Sequence, residues 1–202
     1  MKIYDISQEV FACEVYPGDP APKKETLCSI ENGDLYNLTA FSMCAHNGTH
    51  IDAPAHFLKD GKTVEAVSLV RMVGDAFVAE HMGDLSDTDA EHILKKARRF
   101  GSETAKRILI KGAATVTLPA AEIFAKEEIF LLGVESQSVG PEDAPMEVHL
   151  ALLKKGVVLL EGLRLFEVRE GAYFLCAAPL ALAGADGAPC RAILTSFDGK
   201  SE

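Results

Sequence analysis

The apolar residues of this chain recur in short runs whose composition is typical of β-strands. Eight runs are rich in β-branched or aromatic residues, which suit the pleated, half-buried surface of a sheet. They cover residues 2–7, 35–45, 72–81, 107–111, 129–134, 157–161, 173–178 and 191–196. The run Val157-Val158-Leu159-Leu160 has no polar position, a pattern that predicts a strand buried on both faces.

Three further stretches have helical periodicity. One opens at Thr88, whose spacing to Glu91 matches a capping box, and ends at Gly101. Short helices are also predicted after Pro119, which suits a first-turn position, and over residues 146–155. Because helices and strands alternate in the middle third of the chain, the sequence predicts an α/β fold with βαβ units.

Length and charge narrow the class of protein. A chain of 202 residues with 48% apolar and 25% charged residues is expected to form one domain over residues 1–202, with a loose tail at 198–202. The formal net charge of -10 argues against an electrostatic nucleic-acid surface. Since no run approaches the ~18 apolar residues of a membrane span, no membrane association is expected.

Cysteine usage indicates a reducing compartment. The five cysteines are odd in number and form no Cys-x-x-Cys pair, which favours free thiols over a disulfide scaffold. The first residues also lack the apolar run of a secretory signal, so the expected location is the cytoplasm. A bound metal would then rely on histidine and carboxylate ligands.

The strongest chemical signal is a cluster of histidines around one aspartate. His46, His50, Asp52 and His56 fall within eleven residues. A straight helix turns Asp52 about 200° away from His50, and a straight strand spreads the four side chains over about 33 Å. Ligands of one metal must lie about 2 Å from a common centre. The cluster therefore requires a bent segment.

Bend-forming residues occupy the positions where the cluster needs curvature. Asn47-Gly48 favours a tight turn that folds His46 back towards His50, and Pro54 fixes a second bend before His56. We therefore predict that the cluster binds a divalent metal. Imidazole and carboxylate together suit zinc or manganese first, with iron as an alternative.

Two later residues, His149 and Glu161, are candidates either for metal binding or for simple burial in the core. His149 shares a predicted helix face with Leu152, so it points inward, and Glu161 ends a buried apolar run. A buried carboxylate is unfavourable unless it is paired or bound to a metal. Periodicity alone leaves open whether these two bind a metal or are simply buried. His81 and His92, in contrast, are expected to be ordinary surface histidines.

The segment His46-Asn47-Gly48-Thr49-His50-Ile51-Asp52-Ala53-Pro54-Ala55-His56 resembles the signature of the cyclase family of metal-dependent hydrolases. The best-known members of that family are bacterial kynurenine formamidases. Weaker similarities are Tyr16-Pro17-Gly18-Asp19, Gly162-Leu163 and Gly184-Ala185-Asp186-Gly187-Ala188-Pro189. The resemblance implies a single-domain α/β fold of the swivelling β/β/α type, with a mixed sheet flanked by helices. It also implies a homodimer or homotetramer.

By position, the resemblance also implies two divalent metal ions per subunit, with zinc preferred over manganese or iron. The ligands would be His46, His50 and Asp52 for the first ion, and Asp52, His149 and Glu161 for the second. His56 would act as the catalytic acid or base.

The implied activity is hydrolysis of a C–N amide bond in a small aromatic substrate, with water activated by the metal. The first candidate is an arylformamidase that converts N-formyl-L-kynurenine and water to L-kynurenine and formate. Two alternatives stay open. One is a hydrolase of another cyclic amide or acyl substrate, such as an isatin-like lactam, and the other is a metal-stabilised binding protein without turnover. Cysteine catalysis by Cys44 is a weaker rival, because it needs a free base nearby.

Two positions depart from the pattern of the family. Tyr16 stands where kynurenine formamidases typically have a tryptophan that stacks on the aniline ring of the substrate. Because tyrosine also offers an aromatic face, Tyr16 is assigned to substrate binding. Glu135 stands where many relatives have the aspartate of Gly-x-Asp-x-x-Ser, and this change is expected to alter a wall of the pocket.

Overall fold

A computed structural model of the chain describes residues 1–196. The expected tail at 198–202 lies outside the described residues. Within them, the helices are α1 (Asp87–Arg98), α2 (Leu118–Lys126) and α3 (Met146–Leu153). The strands are β1 (Lys2–Asp5), β2 (Lys23–Cys28), β3 (Leu38–Ser42), β4 (His50–Asp52), β5 (Val73–Glu80), β6 (Gly83–Leu85), β7 (Arg107–Lys111), β8 (Ala114–Val116), β9 (Leu131–Val134), β10 (Val158–Glu161), β11 (Gly171–Cys176), β12 (Gly187–Pro189) and β13 (Ile193–Ser196).

One mixed sheet organises the fold. Its strand order is β1-β13-β11-β5-β7-β9-β10-β4-β12. The central strands β5, β7, β9 and β10 are parallel neighbours, and the outer pairings, including β10 with β4, are antiparallel. Parallel neighbours joined through α1, α2 and α3 are the βαβ units expected from the alternation of elements. The predicted α/β class with a mixed sheet flanked by helices is therefore confirmed.

The central strands are buried on both faces. Phe77 and Ala79 of β5 belong to the core under the three helices, whereas Ala76 and Val78 of the same strand belong to a second core on the opposite face. Side chains alternate in this way because successive residues of a strand point to opposite faces. Double burial explains why β10 has no polar residue before its last position.

The start of α1 differs from the sequence prediction. The N-cap is Ser86, two residues before the predicted Thr88. Ser86 Oγ accepts a hydrogen bond from Asp89 N at 3.2 Å, and Asp89 Oδ2 accepts one from Ser86 N at 3.0 Å. Asp89, and not the predicted Glu91, therefore closes the capping box, because Asp89 lies three residues after the N-cap Ser86.

Several strands were missed or misplaced by periodicity. The predicted strand at 35–45 is only Leu38–Ser42, and it pairs with Lys23–Cys28 in a separate two-stranded hairpin outside the main sheet. Lysine and glutamate in β2 hid its strand character. The strands β4, β6, β8 and β12 have three residues each, which is too short for a hydrophobic period to be detected.

The helices of the described residues are all too short or too polar to span a lipid bilayer.

The capping box of α1 gives a first prediction. Ser86→Ala removes the acceptor for Asp89 N and should lower the free energy of unfolding by about 1 kcal/mol. Thr88→Ala is the matched control, because the exposed Thr88 hydroxyl reaches only the neighbouring Asp87 carboxylate. Urea denaturation measures both variants. Equal losses in the two would show that the helix starts at Thr88.

Candidate metal centre

The histidine-rich segment is bent at both predicted positions. Gly48 adopts a left-handed backbone with φ of 67°, and Asn47 N donates to Cys44 O at 3.2 Å to close the first turn. The chain then forms the short strand His50–Asp52, and Pro54 opens a 3-10 turn that carries His56. The predicted bends are therefore confirmed.

Strand register brings the two halves of the site together. In the antiparallel pairing of β4 with β10, His50 lies opposite Glu161. Directly opposed residues on one face of a sheet lie close together. Ile51, between His50 and Asp52, points into the opposite core, so both polar side chains share the face covered by α3. His149 reaches the same space from α3.

The polar atoms of these side chains converge. His50 Nε2 lies 3.4 Å from both Asp52 Oδ1 and Glu161 Oε2. His149 Nε2 lies 3.4 Å from Glu161 Oε1 and 3.7 Å from Asp52 Oδ2. His46 Nδ1 lies 2.8 Å from Asp52 Oδ1. Asp52 is thus the carboxylate on which these three imidazoles converge.

Backbone carbonyls fix the orientation of two imidazoles. His50 Nδ1 lies 3.0 Å from Gly48 O, and His149 Nδ1 lies 2.8 Å from Pro145 O. A carbonyl only accepts, so each Nδ1 carries the hydrogen and donates it. In the neutral ring, the lone pair then lies on Nε2, the atom that faces the carboxylates. Such outer hydrogen bonds are the usual support of metal-binding histidines.

The electrostatics of the cluster favour positive charge. Asp52 and Glu161 are 0% and 3% exposed, so little water reaches either carboxylate. Burial would lower the pKa of His50, but the two neighbouring carboxylates raise it to about 10. Burial would likewise raise the pKa of Asp52, but His46 and His50 hold it far below its usual range. Protonated imidazole or a cation therefore balances the buried carboxylates.

The donor atoms fit a divalent metal. His50 Nε2 and Asp52 Oδ2 are buried without a hydrogen-bond partner, although buried polar atoms normally have one. The ligand atoms of His46, His50 and Asp52 lie within 4.8 Å of one another, and so do those of Asp52, His149 and Glu161. Imidazole nitrogen with carboxylate oxygen is a donor set for zinc, manganese or iron. The sequence-predicted residues are thus brought together in two overlapping groups.

His56 lies at the edge of this cluster. Its Nε2 is 3.9 Å from Asp52 Oδ2, and its ring centroid is 4.1 Å from that of His46. Its Nδ1 faces Asp186 Oδ2 at 3.2 Å, and His46 Nε2 faces the same oxygen at 3.0 Å. Sequence reasoning missed a role for Asp186, because 130 residues separate it from His56 and its segment gave only a turn signal and a weak similarity to the family.

A cavity of about 430 Å³ opens over the cluster. Tyr16 and Phe57 give it an aromatic lining beside His56 and His149. Tyr16 Oη donates to the Glu142 carbonyl at 3.3 Å. Tyr16, the residue predicted to bind substrate, therefore lines the cavity over the cluster.

Hydrogen bonds to Gln8 hold the segment that carries Tyr16. Gln8 N donates to Thr49 Oγ1 at 2.9 Å, and Gln8 Nε2 donates to Gly162 O at 2.9 Å. Gln8 Oε1 in turn accepts from Glu14 N at 2.9 Å. The backbone and side chain of this one residue thus connect the start of the chain to the histidine segment and to the end of β10.

Other candidates from the sequence have ordinary surroundings. His92 is exposed, and His81 Nε2 lies 3.1 Å from the Asp84 carbonyl at the surface, as predicted. Cys44 lines the cavity, but its Sγ has a carboxylate partner, Asp19 Oδ2 at 3.9 Å, in place of an imidazole. This geometry does not provide the thiol–imidazole pair of a nucleophilic cysteine.

The expectation for Glu135 is wrong. Its carboxylate accepts hydrogen bonds from Gly112 N at 2.6 Å and Leu165 N at 2.7 Å. Both oxygens are used to join backbone segments, so Glu135 supports the fold and does not form a wall of the cavity at the cluster.

Fold and site together define a class: an α/β protein with a buried histidine–carboxylate cluster beneath an aromatic-lined cavity. Residues 4–141 match the family model described as Putative cyclase. A kynurenine formamidase of Bacillus cytotoxicus is 34% identical over 94% of this chain and 95% of its own. The chain belongs to the cyclase family.

Solved structures agree with this assignment. A potential metal-dependent hydrolase with cyclase activity has a TM-score of 0.80 at 30% identity, over 96% of this chain and 96% of its own. Isatin hydrolase A from Labrenzia aggregata has a TM-score of 0.78 at 20% identity, over 96% of this chain and 93% of its own. The second likeness concerns the fold alone.

Proposed function

We propose that this protein is a metal-dependent arylformamidase that hydrolyses N-formyl-L-kynurenine to L-kynurenine and formate. The observation that carries the proposal is the convergence of His50, His149 and two buried carboxylates beneath a cavity lined by Tyr16. The similarity to a kynurenine formamidase over nearly the whole chain supports the choice of substrate.

The proposed ligands follow from the two overlapping groups of donor atoms. They are His46, His50 and Asp52 for one ion, and Asp52, His149 and Glu161 for another. Asp52 has two oxygens that face different imidazoles, Oδ1 towards His50 and Oδ2 towards His149, which suits a bridging carboxylate. Zinc is the proposed metal, with manganese or iron as alternatives, because the donor set suits all three.

A divalent metal supplies, when bound, activation of water near neutral pH and polarisation of a carbonyl. The residues of the chain orient the substrate and move the proton. Tyr16 and Phe57 offer aromatic surface to the aniline ring. Water oxygen joins the formyl carbon as the C–N bond breaks. His56 Nε2 accepts the proton that the attacking water loses and delivers it to the leaving nitrogen. His56 suits this role because it borders the cluster and the cavity while remaining half-buried.

Activity measurements on purified protein test the proposal. Formate release from N-formyl-L-kynurenine should exceed hydrolysis of isatin, which serves as the comparison because a structurally similar protein is named an isatin hydrolase. A chelator should abolish turnover while the folded far-UV spectrum persists. If isatin is hydrolysed in preference to N-formyl-L-kynurenine, the substrate is a cyclic amide and the proposed substrate is wrong. Unfolding on metal removal would favour a structural metal.

Separate roles for ligand and proton donor give the next prediction. His50→Ala should lose bound metal and activity together, because His50 Nε2 faces both carboxylates. His56→Ala should retain the metal and lose roughly 10²-fold in kcat, the usual contribution of a positioned acid or base. Elemental analysis beside steady-state kinetics checks both variants. Equal metal loss in the two variants would show that His56 is a metal ligand.

Substrate selectivity tests the role of Tyr16. Tyr16→Ala should raise KM for an aryl formamide about 2- to 12-fold, which corresponds to the ~0.5–1.5 kcal/mol of an aromatic contact. A small aliphatic formamide should be almost unaffected. Tyr16→Phe is the matched control, because it keeps the ring and removes only the hydrogen bond to the Glu142 carbonyl. Parallel changes for both substrates would show that Tyr16 is only a packing residue.

We further propose a homo-oligomer, a dimer or tetramer, associated through the β2–β3 hairpin. The hairpin does not pair with the main sheet, and Leu35 and Phe41 on it are 95% and 58% exposed. An isolated hairpin with exposed apolar side chains is marginal unless another surface covers it. The five free cysteines support a reducing, cytoplasmic compartment for this assembly.

Light scattering on size-exclusion fractions tests the oligomer. Leu35→Ser should reduce the molar mass towards that of a monomer, because it removes the most exposed apolar side chain of the hairpin. Met82→Ser is the control, since Met82 is 72% exposed and lies outside the hairpin, at the β5–β6 turn. A monomeric wild type, or dissociation by both substitutions, contradicts this interface.

A further inference from the structure

One carboxylate oxygen next to the cluster lies within hydrogen-bond distance of two imidazoles. Asp186 Oδ2 lies 3.2 Å from His56 Nδ1 and 3.0 Å from His46 Nε2. Asp186 lies outside the two ligand groups that contain Asp52, although its carboxylate and the rings of His46 and His56 form a third set of donor atoms within 4.8 Å of one another. Its side chain is 48% exposed, so burial alone does not account for its position against two histidines.

The backbone around Asp186 is fixed from both sides. Ala53 N donates to Asp186 O at 2.9 Å, which continues the pairing of β12 with β4. On the preceding residue, Ala185 O accepts from Val64 N at 2.9 Å. The placement of the carboxylate is therefore set by the sheet edge and does not depend on a free surface loop.

Gly187 allows this close approach to His46. A Cβ at position 187 would lie 2.7 Å from His46 Cε1 and 2.7 Å from the Ile51 carbonyl. Contacts of that length do not occur between real Cβ atoms and their neighbours, so a larger residue would displace the ring or the strand. A glycine directly after Asp186 thus lets the backbone bring the carboxylate to both imidazoles.

The acceptor character of the carboxylate decides which nitrogen of His56 carries hydrogen. An ionised aspartate only accepts hydrogen bonds, so the ring nitrogen that faces it must be the N–H. Nδ1 of His56 is therefore the donor to Asp186. The neutral ring then presents the lone pair of Nε2 to the cavity, on the side of Asp52. The same arrangement of aspartate and histidine orients the general base of serine hydrolases.

We propose that Asp186 is a positioning residue that holds His56 in the Nδ1–H tautomer, with Nε2 directed at the leaving group of the substrate. The inference rests on the proposed function, because it assigns Asp186 to the proton transfer made by His56. Asp186 itself does not touch the substrate. Its effect on rate must therefore disappear when His56 is absent.

Asp186→Asn tests this role, because its amide can donate to Nδ1 and favours the Nε2–H tautomer. In proton–nitrogen NMR spectra recorded above the ordinary histidine pKa of ~6.5, His56 should change from Nδ1–H to Nε2–H. The His56 signals are assigned by their absence in His56→Ala. The kcat should fall roughly 10²-fold with little change in KM and in bound metal. Asp186→Glu should recover part of the rate, since it keeps an acceptor.

Two comparisons separate positioning from other effects. Asp60→Asn removes one exposed negative charge elsewhere and should change neither the tautomer nor kcat. In the His56→Ala background, Asp186→Asn should lower the rate no further. An additional loss there, loss of metal, or an unchanged Nδ1–H tautomer in Asp186→Asn overturns the proposal. An inactive wild type that still shows the Nδ1–H tautomer would refute the proposed function while leaving the orientation of His56 in place.

Discussion

The structure depends on two carboxylates, Asp52 and Glu161, that are buried where water cannot solvate them. An ionised carboxylate in such a place is stable only with positive charge and hydrogen bonds around it. The imidazoles around them respond to this requirement, and the two carboxylates raise the pKa of His50 to about 10. A divalent cation satisfies the same demand and leaves the imidazoles neutral, which is the state in which they bind metals.

The fold meets this constraint with elements far apart in the chain. The antiparallel register of β4 on β10 places His50 opposite Glu161, and α3 adds His149 from above. Carbonyls of Gly48 and Pro145 point both Nε2 atoms inward. These positions lie on the sheet and on a helix packed against it, so the cluster is built on rigid elements and the aromatic lining on loops. That division suits a centre whose geometry must be maintained while substrates exchange.

Much of this arrangement could be predicted from the sequence, and the limits have physical causes. The bends at Gly48 and Pro54 were predictable because the backbone preferences of these residues are local. The inward orientation of His149 followed from helical period. The segment of Asp186 resembles the family, but the place of its carboxylate beside His56 could not be predicted, because it depends on the pairing of two three-residue strands. The same holds for β2, whose charged residues conceal a strand that pairs only with its neighbour.

Anomalous X-ray diffraction at a metal absorption edge would show whether the buried carboxylates hold a metal. In crystals of protein loaded with zinc or manganese, we expect anomalous density about 2 Å from His50 Nε2 and from the Asp52 carboxylate. A second peak is predicted between Asp52 and the His149–Glu161 pair. Density only at exposed histidines such as His92, with none inside the cluster, would show that the buried carboxylates do not bind a metal.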